Sequence, residues 1–316
     1  MKRIVLPLIL ILLLPASAYA AGIATFEVPG GADGPPIKAV MWTPCTAAPG
    51  EVRLGGALVL SGVKDCPIDG EALPLIVISH GFGGSAVGHH DTAEVLADAG
   101  FAVVALNHPF DSDTNIRYSN AAAALTARPQ DVKRLIDYML GPSPVAAKLD
   151  PGRIGFFGFS RGGYTGLMLA GAVPDYPFWP PLWLLFHASA VWGPAPVQPA
   201  TDARIKAFVI ADPVTVFPAP ENLKNVNAPI QLWASHEGGQ GVAPDKVAAL
   251  ADNLPVKPAF HAVANSTHMS FLTPCPPALA KAVPDLCTDP AGFDRDSFHK
   301  DFDAQVLAFF RKTLGA

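Results

Sequence analysis

Charge is scarce in this sequence. Only 16% of its 316 residues are charged, with 22 Lys and Arg against 27 Asp and Glu, for a formal net charge of −5. Basic residues form no cluster beyond short pairs. A surface that binds nucleic acid or polyphosphate through counterion release is therefore not expected. Cysteine is sparse as well, at four residues, and no CxxC spacing marks a structural zinc centre. Beyond the N-terminal region no stretch reaches 18 apolar residues without a Pro or a charge, so no later membrane span is expected. Gly and Pro, at 28 and 33 residues, stay short of the roughly 25–30% at which unstructured low-complexity chains begin. Half of the residues are apolar, and the length suits one large domain or two small ones with a substantial core.

The N-terminus has the layout of a secretory leader. Lys2 and Arg3 precede the apolar run Ile4–Leu14, and Pro15 is followed by the small-residue site Ala18-Tyr19-Ala20. Cleavage is expected after Ala20, leaving one domain over residues 21–316 and an exported protein, periplasmic or secreted. The rival reading, a membrane anchor, has too short an apolar stretch to span comfortably. No stable membrane insertion is expected once the leader is removed. Export makes disulfides probable partners for the four cysteines, and sequence proximity favours Cys45 with Cys66 and Cys275 with Cys287 among the three possible pairings.

Along the chain, short β-branched runs alternate with segments of helical period. Strands are expected at Ala24–Val28, Ile37–Trp42, Leu75–Ser79, Phe101–Leu106, Arg153–Phe157, Ile205–Ile210, Ile230–Ala234 and Ala259–Val263. Helices are expected at Asp91–Ala99, from Asp131 just after Pro129, and at Arg161–Ala170, Pro244–Leu254 and Phe302–Leu314. Alternation of this kind implies an α/β fold: a mostly parallel central sheet with helices on both faces. The segment Val173–Pro199 breaks the rhythm. It holds seven Pro together with Trp179, Trp183 and Trp192, far longer than an ordinary connection of about 2–6 residues. A cap over a binding crevice is the preferred reading, and a packing or oligomer patch the alternative.

The chemistry concentrates in three places. Gly158-Phe159-Ser160-Arg161-Gly162 lies where a strand turns into a helix, the context in which G-x-S-x-G presents a nucleophile on a strained turn. Ser79-His80-Gly81-Phe82-Gly83-Gly84 follows a buried strand. Such a loop supplies one backbone N–H of an oxyanion hole, here Phe82, and the residue after the nucleophile, Arg161, supplies the other. His80 precedes the serine and reads as a structural residue of its loop. The order Ser…acid…His leaves His268, just past the strand ending at Val263, as the base, with His299 a remote second choice. For the acid the residues leave Asp212, Glu237 and Asp245 open, each at or beyond a strand end. Arg161 and Arg128 are candidates for steering an anionic substrate, with surface solvation the plainer role for Arg128.

At these residues the chain resembles the α/β-hydrolase superfamily, and more closely the predicted dienelactone hydrolase and platelet-activating-factor acetylhydrolase-like esterases. The resemblance runs from about Phe26 to Leu314. It rests on Ser79–Gly84, Gly158–Gly163, Ile210-Ala211-Asp212-Pro213 and Thr267-His268-Met269-Ser270-Phe271-Leu272 with Cys275. It implies Asp212 as the triad acid over Glu237, because in the acetylhydrolase-like group the acid follows the strand after the nucleophile. Dienelactone hydrolases proper use a Cys nucleophile where this chain has Ser160, so their activity is not carried over.

The expected function is a secreted serine hydrolase that cleaves small-molecule carboxylic esters of short or modest acyl chains, with no metal and no organic cofactor. The alternatives are a lipase, phospholipase or polyester hydrolase that uses the Trp/Pro segment as a cap over a lipid-like substrate, and a non-catalytic binding protein on the same fold. Oligomeric state is not readable from the sequence.

Overall fold

A computed structural model of the chain describes residues 20–54, 58–116, 122–175 and 200–316. Of the expected cap, only Val173–Asp175 fall within these. Residues 1–19 of the expected leader and 176–199 of the cap lie outside the described residues.

Ten strands form one sheet: β1 (Ala20–Val28), β2 (Ile37–Cys45), β3 (Gly50–Arg53), β4 (Val59–Lys64), β5 (Leu73–Ser79), β6 (Ala102–Leu106), β7 (Leu149–Phe159), β8 (Ile205–Ala211), β9 (Ile230–Ser235) and β10 (Ala259–Val263). Their order is β10-β9-β8-β7-β5-β6-β2-β1-β4-β3. From β10 to β6 every neighbouring pair is parallel. β2 then pairs antiparallel with both β6 and β1, and β3 antiparallel with β4. β1 and β4 pair parallel, so the sheet is mostly parallel with a mixed flank built from the N-terminal strands.

The central strands are apolar throughout, and their period of two sorts the side chains into two layers. Leu75, Val77, Val104, Phe156, Phe208 and Ile210 face one cluster, whereas Ile76, Ile78, Val103, Phe157, Val209 and Trp233 face the other. The first layer is covered by α2 (Ala122–Leu140), α3 (Arg161–Ala170) and α5 (Pro244–Asn253), and α4 (Pro220–Leu223) adds Leu223. The second is covered by α1 (His90–Asp98) and the long closing helix α8 (Arg295–Leu314), through Leu96 and through Phe302, Val306 and Phe310. Two short helices, α6 (Pro277–Ala282) and α7 (Pro284–Cys287), precede α8.

Several elements depart from the sequence expectation. β3 and β4 form a hairpin where none was assigned, between the cysteines that flank it. α2 runs from Ala122 and carries Pro129 inside it, where a start at Asp131 was expected. Proline removes one helical donor and crowds the preceding turn. Here the residue before it, Arg128, is fully buried and bound to Asp111, Thr165, Ser79 and the carbonyl of His80, and these contacts outweigh the local break. α8 begins at Arg295, seven residues before the expected Phe302, with the Asp294 side chain accepting from Ser297 N–H as its N-cap.

Disulfides join Cys45 to Cys66 and Cys275 to Cys287. The first ties the end of β2 to the segment after β4. The second closes the segment between the His268 turn and α8. Among the described residues no helix is long and apolar enough to cross a membrane.

Candidate active site

β7 leads through Ser160 into α3, and the chain turns so sharply there that Ser160 takes φ 56° and ψ −115°, a region that non-glycine residues enter only under constraint. Three surroundings impose it. Ser160 N–H donates to Ala211 O, and its carbonyl accepts from Tyr164 N–H and Val214 N–H. A side chain on Gly158 would collide with the backbone of Gly162, and one on Gly162 would collide with the carbonyl of Ser79. The glycines therefore let strand, helix and the neighbouring β5 loop approach until the serine has a single available path.

His268 begins a short 3₁₀ turn, His268–Phe271, after β10. Its N–H donates to Gly238 O at 2.8 Å, and its ring stacks on Phe159 at 4.5 Å between centroids. Nδ1–H donates to Asp212 Oδ2 across 2.6 Å, and both residues are buried. Asp212 follows β8 with φ 43°. Ser235 N–H and Ser235 Oγ–H, both 2.8 Å away, also donate to its carboxylate. With three donors, the carboxylate has one orientation, and that orientation selects the His268 tautomer with a proton on Nδ1. Of the other acid candidates, Glu237 and Asp245 are exposed, and Glu237 is tied to the site through its backbone, donating N–H to Ser266 O. His299 sits behind the His268 turn, bonded to Asp91.

Ser160 and His268 line one cavity of about 410 Å³, together with Phe82, Gly83, Phe159, Arg161 and Leu286. Phe82 and Arg161, the two expected oxyanion donors, thus border the same space as the serine. Gly81 passes so close that a Cβ there would meet the ring of Phe159 and the Cβ of Ser160 at 3.1 Å.

Beneath the Phe82 loop lies a buried polar network that sequence reasoning did not find. Asp111 accepts from Gly83 N–H at 3.1 Å on one oxygen and from Arg128 and Arg161 on the other, at 2.8 and 3.0 Å. Arg128 is therefore no surface residue, and Arg161 lies 4.4 Å from the Phe82 ring centroid with one of its nitrogens committed to Asp111. Burial works against ionisation of Asp111, but the Arg128 charge and the Gly83 hydrogen bond outweigh it and hold the carboxyl below its usual range. Burial, followed by the Arg128 charge, pushes His80 down to about 3. Being neutral, it donates from Nδ1 to Gly81 O and accepts on Nε2 from His108 N–H, bridging its own loop to the end of β6. His108 is held well below 6.5, first by burial and then by Arg128. It donates to Asp131 and accepts from Ser79 Oγ–H. The signal that could have found this network is a histidine just past the end of each of two apolar strands, His80 after β5 and His108 after β6.

No protein-family model matches the chain, and no curated protein matches it. Solved structures do. A ferulic acid esterase from Streptomyces cinnamoneus aligns over 96% of this chain and 92% of its own, with a TM-score of 0.67 at 18% identity. A dienelactone hydrolase from Anabaena variabilis aligns over 93% of this chain and 99% of its own, with a TM-score of 0.53 at 15% identity. The chain has the α/β-hydrolase fold. In this fold ligands sit outside the carboxyl ends of the strands, and Ser160, Asp212 and His268 all follow such ends, after β7, β8 and β10. At this level of identity the likeness extends to the architecture, and the chemistry rests on the residues themselves.

Proposed function

We propose that the protein is a serine hydrolase of carboxylic esters, with Ser160 as nucleophile, His268 as base and Asp212 as the acid that orients it. The observation that carries this reading is the Asp212–His268 pair, bonded through Nδ1 at 2.6 Å, with His268 in the wall of the cavity that the strained Ser160 also lines. With Nδ1 committed to Asp212, Nε2 is the nitrogen left to take the serine proton as the hydroxyl attacks an ester carbonyl. The N–H groups of Phe82 and Arg161 stabilise the oxyanion. His268 then protonates the leaving alcohol, and water attacks the acyl-enzyme by the same route in reverse. The buried Asp111–Arg128 pair contributes by holding the Phe82 loop rigid, since preorganised donors lose no energy to reorganisation as charge develops.

Short or modest acyl chains are the proposed substrates, consistent with a cavity of about 410 Å³. The ferulic acid esterase and dienelactone hydrolase named above are, by name, hydrolases of an ester and of a lactone, a cyclic ester, which agrees with this reading. Export is proposed with it, the leader being removed after Ala20. The two disulfides support an oxidising destination.

Nitrophenyl esters of increasing chain length test the substrate class. Turnover is expected to be highest on acetate and butyrate and to fall with longer chains. A steep preference for long chains above their solubility limit would transfer the proposal to a lipase or polyester hydrolase.

A further inference from the structure

The turn that carries His268 is gripped from behind by a second Asp–His pair. His299, on α8, is buried, and each of its ring nitrogens faces an oxygen. Nδ1 lies 2.6 Å from Asp91 Oδ2, and Nε2 lies 3.0 Å from the backbone carbonyl of Ser270, two residues beyond His268. A peptide carbonyl only accepts, so Nε2 carries a proton. Asp91 also accepts from Thr273 Oγ1 at 2.5 Å. Burial works against its ionisation, but the hydrogen bond and charge of His299 outweigh this and hold the carboxyl well below its usual range. As a carboxylate it only accepts, so Nδ1 carries a proton too. Two acceptors, one on each nitrogen, make His299 an imidazolium.

We propose that His299, charged and paired with Asp91, is a positioning residue for His268. It secures the Ser270 carbonyl directly and Thr273 through Asp91, so the placing of the base depends on the protonation of a histidine that never touches substrate. The proposal rests on the reading of His268 as base. α8 and α1 supply the two halves of the clamp, and Thr273 adds a bond of its N–H to Gly88 O.

The charged and titratable groups around His299 favour its proton. From the start of α1 come Asp91, His89, His90 and Glu94, and from α8 itself comes Asp303. Burial, followed by the charge of Asp91, pushes the Asp303 carboxyl up to about 7, and it accepts from Thr92 Oγ1 at 2.6 Å. Burial pushes His89 down to about 3, so it adds no competing positive charge at neutral pH. Burial opposes the charge of His299 also, but Asp91 and Asp303 outweigh it and raise His299 above its ordinary value of 6.5. The turn facing His299 contributes Ser270 and Thr273 beside His268 itself, and Ser270 Oγ–H donates to Asp289, whose charge is paired with Arg295 of α8. As pH rises through the raised pKa of His299 one proton leaves, one of the two hydrogen bonds is lost, and the turn loosens. kcat then falls on the alkaline side while KM, set in the cavity, changes little.

Two variants and one titration test this. Asp91→Asn removes the charge that holds the proton, and the alkaline fall in kcat is expected to move at least one pH unit lower. His299→Gln retains one donor and does not titrate. It is expected to lose the alkaline fall altogether, with kcat lower by about 10- to 100-fold, the scale of an angstrom-level misplacement, and KM within about twofold. A residue that merely supports folding would lower the active fraction and leave the shape of the pH profile unchanged; that result overturns the proposal.

In wild-type protein labelled with ¹⁵N-histidine, both His299 ring nitrogens are expected to be protonated at pH 7. The downfield His268 Nδ1–H resonance is expected to shift with His299's own titration. A neutral His299 at pH 7, or a His268 resonance indifferent to it, refutes the proposal even if neither variant folds. If the protein hydrolyses no ester and Ser160 takes no fluorophosphonate, the functional reading fails separately, and the coupling of the two histidines is still decided by the resonances.

Discussion

Asp212 receives three hydrogen bonds and gives its carboxylate one orientation, so its replacement acts on the tautomer and angle of His268 more than on the fold. Asp212→Asn is expected to lower kcat by about 10⁴-fold, the size of the effect when a serine triad loses its carboxylate, with unchanged thermal unfolding. Glu237→Gln, at an exposed position, is expected to stay within about twofold of wild type. A reversal of these two results would move the acid to Glu237. Arg128 tests the buried network separately. Arg128→Met leaves Asp111 with Arg161 alone as cation, and breaking a buried pair costs about 3–5 kcal/mol, readable as a lower denaturant midpoint. The convergence of Ser160 and His268 on one cavity was legible in the sequence because the strand–turn–helix context and the Ser…acid…His order each leave few choices. The proposed acid was not legible from the residues alone, since successive strand ends each offer a carboxylate. What distinguishes Asp212 is its backbone twist and the two donors of Ser235, 23 residues away. Arg128 escaped for a related reason: composition does not reveal that a charge has a partner 17 residues upstream in the chain and adjacent in space.

Among the elements, the central strands were readable because burial on both faces demands continuous β-branched and aromatic runs, and α3 and β10 have their expected limits. α8 was read seven residues short because the buried face of its first turns is largely polar: Arg295, His299 and Asp303 are buried, and Phe298 is the one apolar residue before Phe302 that packs on the core. Its Asp294 cap was the available signal. Arg295 makes paired bonds to Asp289 and donates to Leu286 O, which brings Leu286 into the wall of the cavity. The Cys275–Cys287 disulfide closes the same segment. Replacing both cysteines by Ser is expected to lower stability by about 3 kcal/mol on loop entropy. It is also expected to raise KM for bulkier esters more than for acetate as Leu286 loosens. Unchanged relative KM values would remove Leu286 from the account of substrate fit.

For the whole molecule, buried ionisable groups set the pH range of stability. His80, His89 and His108 are neutral when folded, with pKa values pushed down mainly by burial, the first two to about 3. Below about 6.5 the unfolded chain takes up these protons and the native state does not, so stability falls as pH falls. Asp131 and Asp303 act in the opposite direction. Burial lifts both to about 7, and between about 4 and 7 the native state retains protons that the unfolded chain releases. Counted with His261, which burial also lowers, and Asp98, which burial raises to about 6, four histidines against three carboxyls leave a rise in stability from pH 4 to 6.5. Above 6.5 the raised pKa of His299 turns the slope downward, because the native state then holds the extra proton. Tm is therefore expected to peak near pH 6.5; a Tm with no rise between pH 4 and 6.5 would show that His80, His89 and His108 are not buried neutral, and one that rises steadily to pH 9 would contradict the raised pKa of His299.

Ser160, aligned by His268 and Asp212, is the proposed nucleophile. Reaction with a fluorophosphonate followed by intact-mass measurement and peptide mapping tests it most directly. One phosphonyl group per chain is expected on the peptide that contains Ser160, with no label on Ser160→Ala and slow labelling of Asp212→Asn. Absence of an adduct from folded wild-type protein, or an adduct on any other residue, would contradict the account.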